Sequence, residues 1–388
     1  MEKAMTTGKK GRLERAAAAL FTVVICFCLP GCWDEVNLQE VNYVSALGVD
    51  YKNGNYELYA KLINFASVAK TDSPQSNNKE VWIGRGSGKS VLLAFYDLSQ
   101  ASSNTLNLEH LKSVVLHKRA VNKISDVLDG LNRQRASRYT SLLFGTMEPL
   151  EELFTTENFF DQSPLNSILY QPEPNQEQFT FVSPLHMQSA VQMMREPGMT
   201  TALPVLNESS KFWMNGKKKI NTQFINGVFV FKNFTFQGYI EEKDIRGIRW
   251  LSESFHRVLM EAGSKPNEAT VAIVGASCNL YFDLNKETFK LNAKLEGHVV
   301  ELDGKISETE IEASLNKRVK DEIEELYRFG AEKGMDFLDL EHHLYRYHHQ
   351  YWKQNMAGKV WRPKPDRLEV DVKLNVTDSG KFNLYSGT

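Results

Sequence analysis

The chain is poor in cysteine, and the positions of its four cysteines limit what the protein can be. Cys26, Cys28 and Cys32 lie near the N-terminus, and Cys278 alone follows them. If Cys26 and Cys28 are removed with an N-terminal signal and Cys32 carries a lipid, as its surroundings suggest below, only Cys278 remains and no disulfide can form within one mature chain. Cys278 lies in a strand-like segment, where a cysteine usually acts as a small buried apolar residue. A disulfide-stabilised scaffold is excluded.

Strong charge and long apolar runs are also missing. The formal net charge of the 388 residues is −2, and residues 1–31, with five basic and two acidic side chains, account for +3. The remainder therefore carries −5, whereas nucleic-acid-binding domains are usually basic, so nucleic acid is not an expected partner. No apolar run after Cys32 reaches the roughly 20 residues that a membrane-spanning helix needs.

The N-terminal segment has the pattern of a secretory signal. Basic residues up to Arg15 precede thirteen uncharged residues, 16–28, and the segment ends in Leu29-Pro30-Gly31-Cys32. A basic region, an apolar region and a small residue before the cut are typical of export signals. The cysteine directly after Gly31 predicts a lipobox, with cleavage before Cys32 and S-diacylglyceryl and N-acyl groups on that residue. Two or more acyl chains hold a protein durably at a membrane.

This pattern predicts a lipid-anchored protein on the outer face of the cell membrane, attached through Cys32. The alternative is an ordinary secretory signal that happens to contain a cysteine.

The rest of the chain predicts an α+β fold. Two β-rich runs flank Asn53-Gly54, which indicates a tight hairpin because a type I′ turn needs positive φ at both central positions. Strands and helices then alternate as far as residue 205, and a second hairpin is expected at Asn215-Gly216. We predict two to three mixed-sheet subdomains behind a cleaved lipoprotein signal peptide: 1–31 the signal, 32–205 an N-terminal domain, and 206–388 a C-terminal domain with room for two subdomains.

Local patterns predict several elements of these domains. Residues 171–177 are expected to form a loop, and residues 242–251 a helix. Ser307 and Glu310 form a capping box, and the apolar residues from Ile311 to Phe329 recur every three or four positions. Such a stripe usually packs on a sheet of its own domain, and docking of a partner protein is the alternative.

The motifs of enzyme chemistry are incomplete. The run from Gly84 to Ser90 resembles a phosphate-binding loop, but Gly84 is one residue too close to Gly88-Lys89. The expected structure here is a strand end, a glycine turn and a helix start. No Gly-x-Ser-x-Gly elbow occurs, so no catalytic and no cofactor-binding residue is predicted.

A metal site is not predicted either. A zinc pair on a helix needs two histidines four residues apart. The four histidines 342, 343, 348 and 349 are separated from one another by one, five, six or seven residues, and never by four. The interleaved tyrosines and tryptophan indicate aromatic packing instead. The three lysines 217–219 are expected to form a solvated hairpin tip, with weak contact to anionic lipid as an alternative.

The N-terminus of the predicted mature chain resembles one family. Gly31-Cys32-Trp33-Asp34, followed by a Gly-aliphatic-Asp strand end at Gly48-Val49-Asp50, is similar to the Ger(x)C family of spore-germination lipoproteins. Further similar segments follow in the same order: Leu108 to Lys112, Asn132-Arg133 with Arg138, Gly227-Val228-Phe229 to Gly238-Tyr239, Glu242, Arg246-Gly247, and Asp336-Phe337-Leu338 to Tyr345-Arg346 with Trp352 and Trp361.

This resemblance implies a function. It implies the C subunit of a germinant receptor, held on the outer face of the spore's inner membrane through Cys32. Its partners would be two integral-membrane subunits, A and B, one of them permease-like, and it implies no enzymatic activity. We hypothesise a non-catalytic scaffold or relay that couples nutrient sensing to ion and dipicolinate release.

A second class remains open, a solute-binding lipoprotein that delivers a small nutrient to a permease. Such proteins usually have a flexible tether behind the lipid. Here the first predicted strand begins within a dozen residues of Cys32, which leaves little room for a tether and speaks against this class.

Overall fold

The computed structural model describes residues 17–21, 41–63, 81–134, 139–156, 163, 165–359 and 361–377. The chain divides into two compact units, Met1–Val41 and Asn42–Thr388. In the first unit, residues 17–21 are helical and exposed. Cys32 lies outside the described residues. Within the described ranges, no helix combines the length and apolar character that crossing a membrane requires.

The first sheet contains nine strands within the described residues. They are β1 (Val41–Lys52), β2 (Asn55–Leu62), β3 (Ile83–Gly88), β4 (Thr105–Asn107), β5 (Ser113–His117), β6 (Leu142–Thr146), β7 (Thr200–Asn215), β8 (Lys218–Lys232) and β9 (Thr235–Glu241). The strand order is β3-β2-β1-β5-β6-β7-β8-β9, with β4 beside β1. The pairs β1–β5, β5–β6 and β6–β7 are parallel, and the hairpins at both ends are antiparallel, so the sheet is mixed as predicted.

Helices cover both faces of this sheet. They are α1 (Val91–Gln100), α2 (Ile124–Asn132), α3 (Leu150–Thr155), α4 (Glu173–Gln178) and α5 (Met187–Arg195), and a 3₁₀-helix, Lys118–Lys123, precedes α2. Apolar residues of α1, α2 and α5 share one core, and those of α3 belong to a separate one. Leu47 and Val49 of β1 lie in the first core and Ala46 in the second, because successive strand residues point to opposite faces.

Both predicted hairpin turns are present. Asn53 and Gly54 have φ of 52° and 76°, the positive values that the turn between β1 and β2 requires. Gly216, with φ of 60°, lies in the turn between β7 and β8. The strands of this second hairpin are longer than the sequence pattern indicated, because register pairing continues from Thr200↔Lys232 to Asn215↔Lys218.

The second sheet has the order β10-β11-β12-β13 in the described part of the chain. Its strands are β10 (Val258–Ser264), β11 (Asn267–Asp283), β12 (Thr288–Asp303) and β13 (Leu368–Thr377). Between β12 and β13 the chain forms three helices, α6 (Glu308–Lys333), α7 (Leu340–Tyr347) and α8 (His349–Asn355). The β12–β13 pair is parallel and the other two pairs are antiparallel.

The long helix α6 forms as predicted. The Ser307 hydroxyl accepts a hydrogen bond from the Glu310 N–H, and the Glu310 carboxylate accepts one from the Ser307 N–H, which completes the capping box. Gly334 ends the helix in the left-handed conformation, at φ of 71°. The apolar stripe from Ile311 to Leu326 is buried in one core with β10 to β13, so the helix packs on a sheet of its own region.

Two local predictions are wrong. Residues 171–177 were expected to form a loop, but Glu173–Gln178 is helical, because Gln176 is buried and its amide donates hydrogen bonds to Ser254. Residues 242–251 were expected to form an α-helix, but they form two 3₁₀ turns, Glu242–Asp244 and Arg246–Leu251. The contact between Gln176 and Ser254, which are 78 residues apart, is not visible in a local pattern.

The predicted domain boundary at residue 205 lies inside β7. Val228, Val230 and Ile240 of the first sheet share a core with the second sheet. Neither observation marks a domain boundary at residue 205, and the division there stays a prediction. All buried apolar residues of the described chain lie between Tyr43 and Val376, so the described cores lie within the unit Asn42–Thr388, and we expect this unit to fold without residues 1–41.

Candidate functional site

The predicted lipidation residue, Cys32, lies outside the described residues. Cys278 is partly buried on β11, where its Sγ donates a hydrogen bond to the Trp250 carbonyl at 3.2 Å. Burial raises the pKa of the Cys278 thiol to about 11. The thiolate is the reactive form of a cysteine, so Cys278 is inert at neutral pH, which agrees with the packing role expected from the sequence.

The glycine run before α1 serves packing. Gly86 and Gly88 belong to β3, and Ser90 caps α1 by accepting a hydrogen bond from the Leu93 N–H. A Cβ atom at Gly86 would lie 2.4 Å from the Ala94 carbonyl oxygen, and one at Gly88 would lie 2.4 Å from the Ala94 nitrogen. The glycines allow α1 to lie close to β3. They belong to the strand itself, whereas the sequence predicted a glycine turn at this position.

The C-terminal histidines pack among aromatic rings. His348 lies edge-on to Phe282, with ring centroids 5.4 Å apart, and His349 stacks on Trp352 at 5.7 Å. The His342 Nδ1 lies 3.1 Å from the Pro197 carbonyl oxygen. Within the described ranges, no group of three His, Cys, Asp or Glu side chains is arranged to hold a metal ion.

Charged side chains gather where β1 and β5 end. We call these residues the Asp50 cluster, and its members are Asp50, Lys52, Glu57, Arg85, His117 and Arg119. The carboxyl ends of neighbouring parallel strands lie at the same edge of a sheet, which brings Asp50 close to the residues after β5.

Asp50 is the centre of this cluster. Its side chain is 2% exposed, and the Arg119 Nε donates to Oδ1 at 2.9 Å while Nη2 donates to Oδ2. The Lys52 Nζ lies 3.0 Å from Oδ2, and the His117 Nδ1 lies 3.3 Å from Oδ1. Burial alone disfavours the charged carboxylate, but these hydrogen bonds outweigh it and hold the pKa of Asp50 far below its usual range.

The second carboxylate of the cluster is also paired. Glu57 lies 3.1 Å from both the Lys52 Nζ and the Arg85 Nη2, and it accepts a hydrogen bond from the Tyr59 hydroxyl. Burial is again outweighed by these partners, which lower the pKa of Glu57. The cluster ties β1, β2, β3 and the segment after β5 together.

Asp50 is recognisable in the sequence as the end of a Gly-aliphatic-Asp strand, but its partners are not. Arg119 follows 69 residues later with no motif to mark it. Gly48 of the same motif has a packing role, because a Cβ there would lie 2.9 Å from a Leu150 side-chain carbon of α3.

A second polar group joins the C-terminal helices to the first sheet. We call it the acidic junction, and its members are Lys232, Asp336, Asp339 and Glu341. The Asp339 Oδ1 accepts a hydrogen bond from the Thr200 N–H at 2.8 Å, at the start of β7. The Lys232 Nζ, at the end of β8, lies 2.6 Å from the Glu341 Oε2. The junction therefore fixes the loop after α6 to β7 and the first turn of α7 to β8.

Burial governs the electrostatics of the acidic junction. Asp336 is 3% exposed, and its Oδ2 accepts a hydrogen bond from the Glu341 N–H at 2.9 Å. Burial raises the pKa of Asp336 to about 6, and burial together with the neighbouring Asp336 also raises the pKa of Asp339. Both groups lie in the segment from Asp336-Phe337-Leu338 to Tyr345-Arg346, which resembles the Ger(x)C family.

Two cavities lie at the surface of the first sheet. One of about 500 Å³ opens between β2, β3 and α1, and its lining includes Trp82, Arg85 and Ser102. The other, of about 370 Å³, lies between the end of α3 and the β7–β8 hairpin, with Glu208 and Lys219 among its lining residues. A cavity of the first kind has the size and the mixed lining of a small-molecule site.

Comparison with known families gives a consistent result. Residues 34–208 match the model described as "Spore germination protein N-terminal domain", and residues 226–380 match "Spore germination B3/ GerAC like, C-terminal". Together these two models cover most of the chain, in the expected order.

Curated relatives and a solved structure agree with the family models. "Spore germination protein KC" of Bacillus subtilis (strain 168) is 22% identical over 391 residues, covering 93% of this chain and 94% of that protein. "Spore germination protein B3" of the same organism is 20% identical and covers 93% of this chain and 95% of that protein. The crystal structure of the GerBC protein shares the fold, with a TM-score of 0.52 and 14% identity over 85% of this chain and 96% of that chain.

The ordered motifs from Gly31-Cys32-Trp33-Asp34 onward, the two mixed sheets and both family models lead to the same conclusion. This chain belongs to the GerAC-like family of spore germination proteins, the family whose members include the C subunits of germinant receptors.

Proposed function

We propose that this protein is a membrane-anchored lipoprotein subunit of a spore germinant receptor and acts there as a non-catalytic scaffold or relay in nutrient-triggered germination. Its anchor would be the acylated Cys32, on the outer face of the spore's inner membrane. Its partners would be the integral-membrane A and B subunits, of which one is permease-like.

The observation that carries this proposal is the extent of the family match. The two models begin at residue 34 and end at residue 380, so they include nearly all of the chain after Cys32. The start of the first model, two residues after Cys32, is consistent with a mature chain that begins there. The alignments with the two relatives named above, both spore germination proteins, cover almost the whole length of those proteins.

The charged clusters support a non-catalytic role. A general base must be able to take a proton near the working pH. Asp50 and Glu57 are committed to ion pairs that lower their pKa values, and Asp336 lies buried beneath the helices. The ion pairs of Asp50 and Glu57 stabilise the fold. Asp336 is 3% exposed, and its Oδ2 already accepts a hydrogen bond from the Glu341 N–H.

The acidic junction supports the relay part of the proposal. It connects the C-terminal helices to β7 and β8 through Thr200 and Lys232. A displacement of the C-terminal helices would therefore strain these contacts with β7 and β8, and this is how the proposed relay would couple the two regions.

Crosslinking of intact receptor in spore membranes tests this proposal. We expect crosslinks from the body of this subunit to the A and B subunits, and we expect Cys32→Ala to release the subunit from the membrane and weaken germination. A Cys32→Ala protein that stays fully membrane-bound and functional would contradict the anchor. Exclusive crosslinks to proteins outside the receptor would contradict the partnership.

The cavity of about 500 Å³ favours one other function, capture of a small nutrient for a permease. Calorimetric titration of germinant amino acids and sugars onto the body Asn42–Thr388 separates the two. The scaffold proposal predicts no heat of binding. Saturable heat that Trp82→Ala abolishes would favour capture, because Trp82 lines the cavity and is 62% exposed.

A further inference from the structure

We propose that the end of the β7–β8 hairpin binds the surface of a membrane that contains anionic phospholipid. We call residues 211–219 the hairpin tip. This contact would be made by the folded body, and it does not depend on the acylation of Cys32. The two membrane contacts can therefore be tested, and can fail, separately.

The geometry isolates the hairpin tip from the packed sheet. β7 is buried as far as Asn207, and each of the nine residues 211–219 is exposed. Pairing is irregular between Ser209 and Trp213 and then continues to the turn, with Trp213↔Ile220, Met214↔Lys219 and Asn215↔Lys218 in register. The tip is thus an ordered two-stranded structure with solvent on both faces.

Three large apolar side chains are adjacent at this tip. Phe212 is 64% exposed, Trp213 is 54% exposed and Met214 is 64% exposed. Successive strand residues point to opposite faces, so both faces of the ribbon carry apolar surface. Burial of such surface is favourable, and tryptophan in particular favours the membrane–water interface.

The charge of the hairpin identifies the kind of surface that it fits. Residues 209–231 contain the lysines 211, 217, 218 and 219 and no acidic residue, in a chain of net charge −2. Lysine is depleted in protein–protein interfaces, whereas clustered lysines near an apolar anchor are attracted to anionic headgroups. The combination of apolar end and basic flank therefore indicates a lipid surface.

Two of the lysines have other neighbours. Lys218 and Lys219 line the cavity of about 370 Å³ together with Glu152 and Glu208, whereas Lys217, at the turn, is not part of that lining. A single Lys217→Gln change therefore probes the lipid contact without altering the cavity.

Sedimentation with vesicles tests the proposal on the body Asn42–Thr388. We expect binding to vesicles of equal parts phosphatidylcholine and phosphatidylglycerol, much weaker binding to phosphatidylcholine alone, and weakening with added salt because salt screens exposed charges. The triple change Phe212→Ser, Trp213→Ser and Met214→Ser should lower the partition coefficient by about tenfold or more.

Charge variants and a matched control complete the design. Changing Lys217, Lys218 and Lys219 to Gln together should also lower partition by about tenfold or more, and Lys217→Gln alone by a few-fold. Tyr281→Ser is the control, because Tyr281 is 55% exposed on a different hairpin, and it should leave partition unchanged. The lysine variants and Tyr281→Ser should keep the thermal unfolding midpoint of the parent. The triple apolar change should lower it only slightly, because it removes the contact of the exposed Phe212 ring with the Phe224 ring, whose centroids are 5.9 Å apart.

A depth measurement adds a direct readout. Bromine-labelled lipids should quench part of the tryptophan emission, and Trp213→Phe should remove that part while keeping most of the binding. Failure of the body to bind the mixed vesicles overturns the proposal, as does binding that both tip variants leave unchanged. Vesicle binding unaffected by tip variants that abolish a crosslink to a protein subunit would assign the tip to a protein partner instead.

Discussion

The buried Asp50 and the half-exposed Arg119 form an ion pair between the end of β1 and the segment that follows β5. The Arg119 Nε lies 2.9 Å from the Asp50 Oδ1, and the side chain of Asp50 is 2% exposed while that of Arg119 is 47% exposed. The pair joins residues that are 69 positions apart, and Lys52 and His117 add to the same carboxylate. The Gly-aliphatic-Asp ending of β1 is therefore a structural motif.

Replacing Asp50 by Asn should destabilise the fold by about 1 to 3 kcal/mol, because a buried side chain would lose charge-assisted hydrogen bonds from Arg119 and Lys52, which are themselves partly exposed. Urea unfolding of the body Asn42–Thr388 at pH 7 measures this. Asp129→Asn is the matched control, since Asp129 pairs with Arg133 on an exposed helix face, and it should leave the midpoint unchanged. Equal stability of the Asp50→Asn and parent proteins would contradict the assigned role.

The same pair sets a pH dependence. The pKa of Asp50 is lower in the folded than in the unfolded chain, so its contribution is fully present above the unfolded value of about 3.9 and is lost as the pH falls below it. The stability difference between parent and Asp50→Asn should therefore shrink between about pH 4 and pH 2. A constant difference over this range would show that the substitution acts through packing.

Replacing Asp336 by Asn should have the opposite pH dependence. The pKa of Asp336 is raised to about 6, so the folded chain holds this proton more tightly than the unfolded chain, and the free energy of unfolding falls as the pH rises from about 4 through 6. Asparagine keeps an acceptor for the Glu341 N–H and has no charge to bury. We expect Asp336→Asn to be more stable than the parent by about 1 to 3 kcal/mol at pH 8 and similar to it at pH 4.

Denaturant unfolding at the two pH values checks this result. Asp371→Asn, an exposed position on β13, is the control and should show no pH-dependent difference from the parent. A stability loss in Asp336→Asn at pH 8 would mean that the charged carboxylate is required in the acidic junction.

Gly247 tests the packing of the 3₁₀ turn on α6. A Cβ atom at this position would lie 2.3 Å from the Glu322 carbonyl oxygen, which belongs to the helix backbone and cannot move aside easily. Gly247→Ala should therefore cost about 2 kcal/mol or more. Gly275→Ala on β11 is the control, because its added Cβ would lie 3.4 Å from the nearest atom, an ordinary contact. Thermal unfolding of both variants decides, and equal midpoints would contradict the close approach.

The features predicted from sequence are those that depend on neighbouring residues. The Asn53-Gly54 turn, the Ser307–Glu310 capping box and the apolar stripe of α6 each follow from a local pattern, and the structure contains all three. The mixed α and β class follows from the alternation of such patterns.

The features that were missed depend on contacts distant in sequence. The helix Glu173–Gln178 is held by Ser254, and the Arg246–Leu251 turn is shaped by α6 through Gly247. The helix Met187–Arg195 was also missed, although Met187, Ala190 and Met194 form a buried stripe that the sequence contains. The partners of Asp50 and Asp336 come from strands and loops whose positions only the three-dimensional arrangement supplies.

The Cys32 anchor is the claim on which the account of function depends most. Mass spectrometry of the N-terminal peptide of the native protein from spore membranes tests it directly. The account predicts a mature chain that begins at Cys32 and carries S-diacylglyceryl and N-acyl groups. An unmodified N-terminus at any other residue would contradict it.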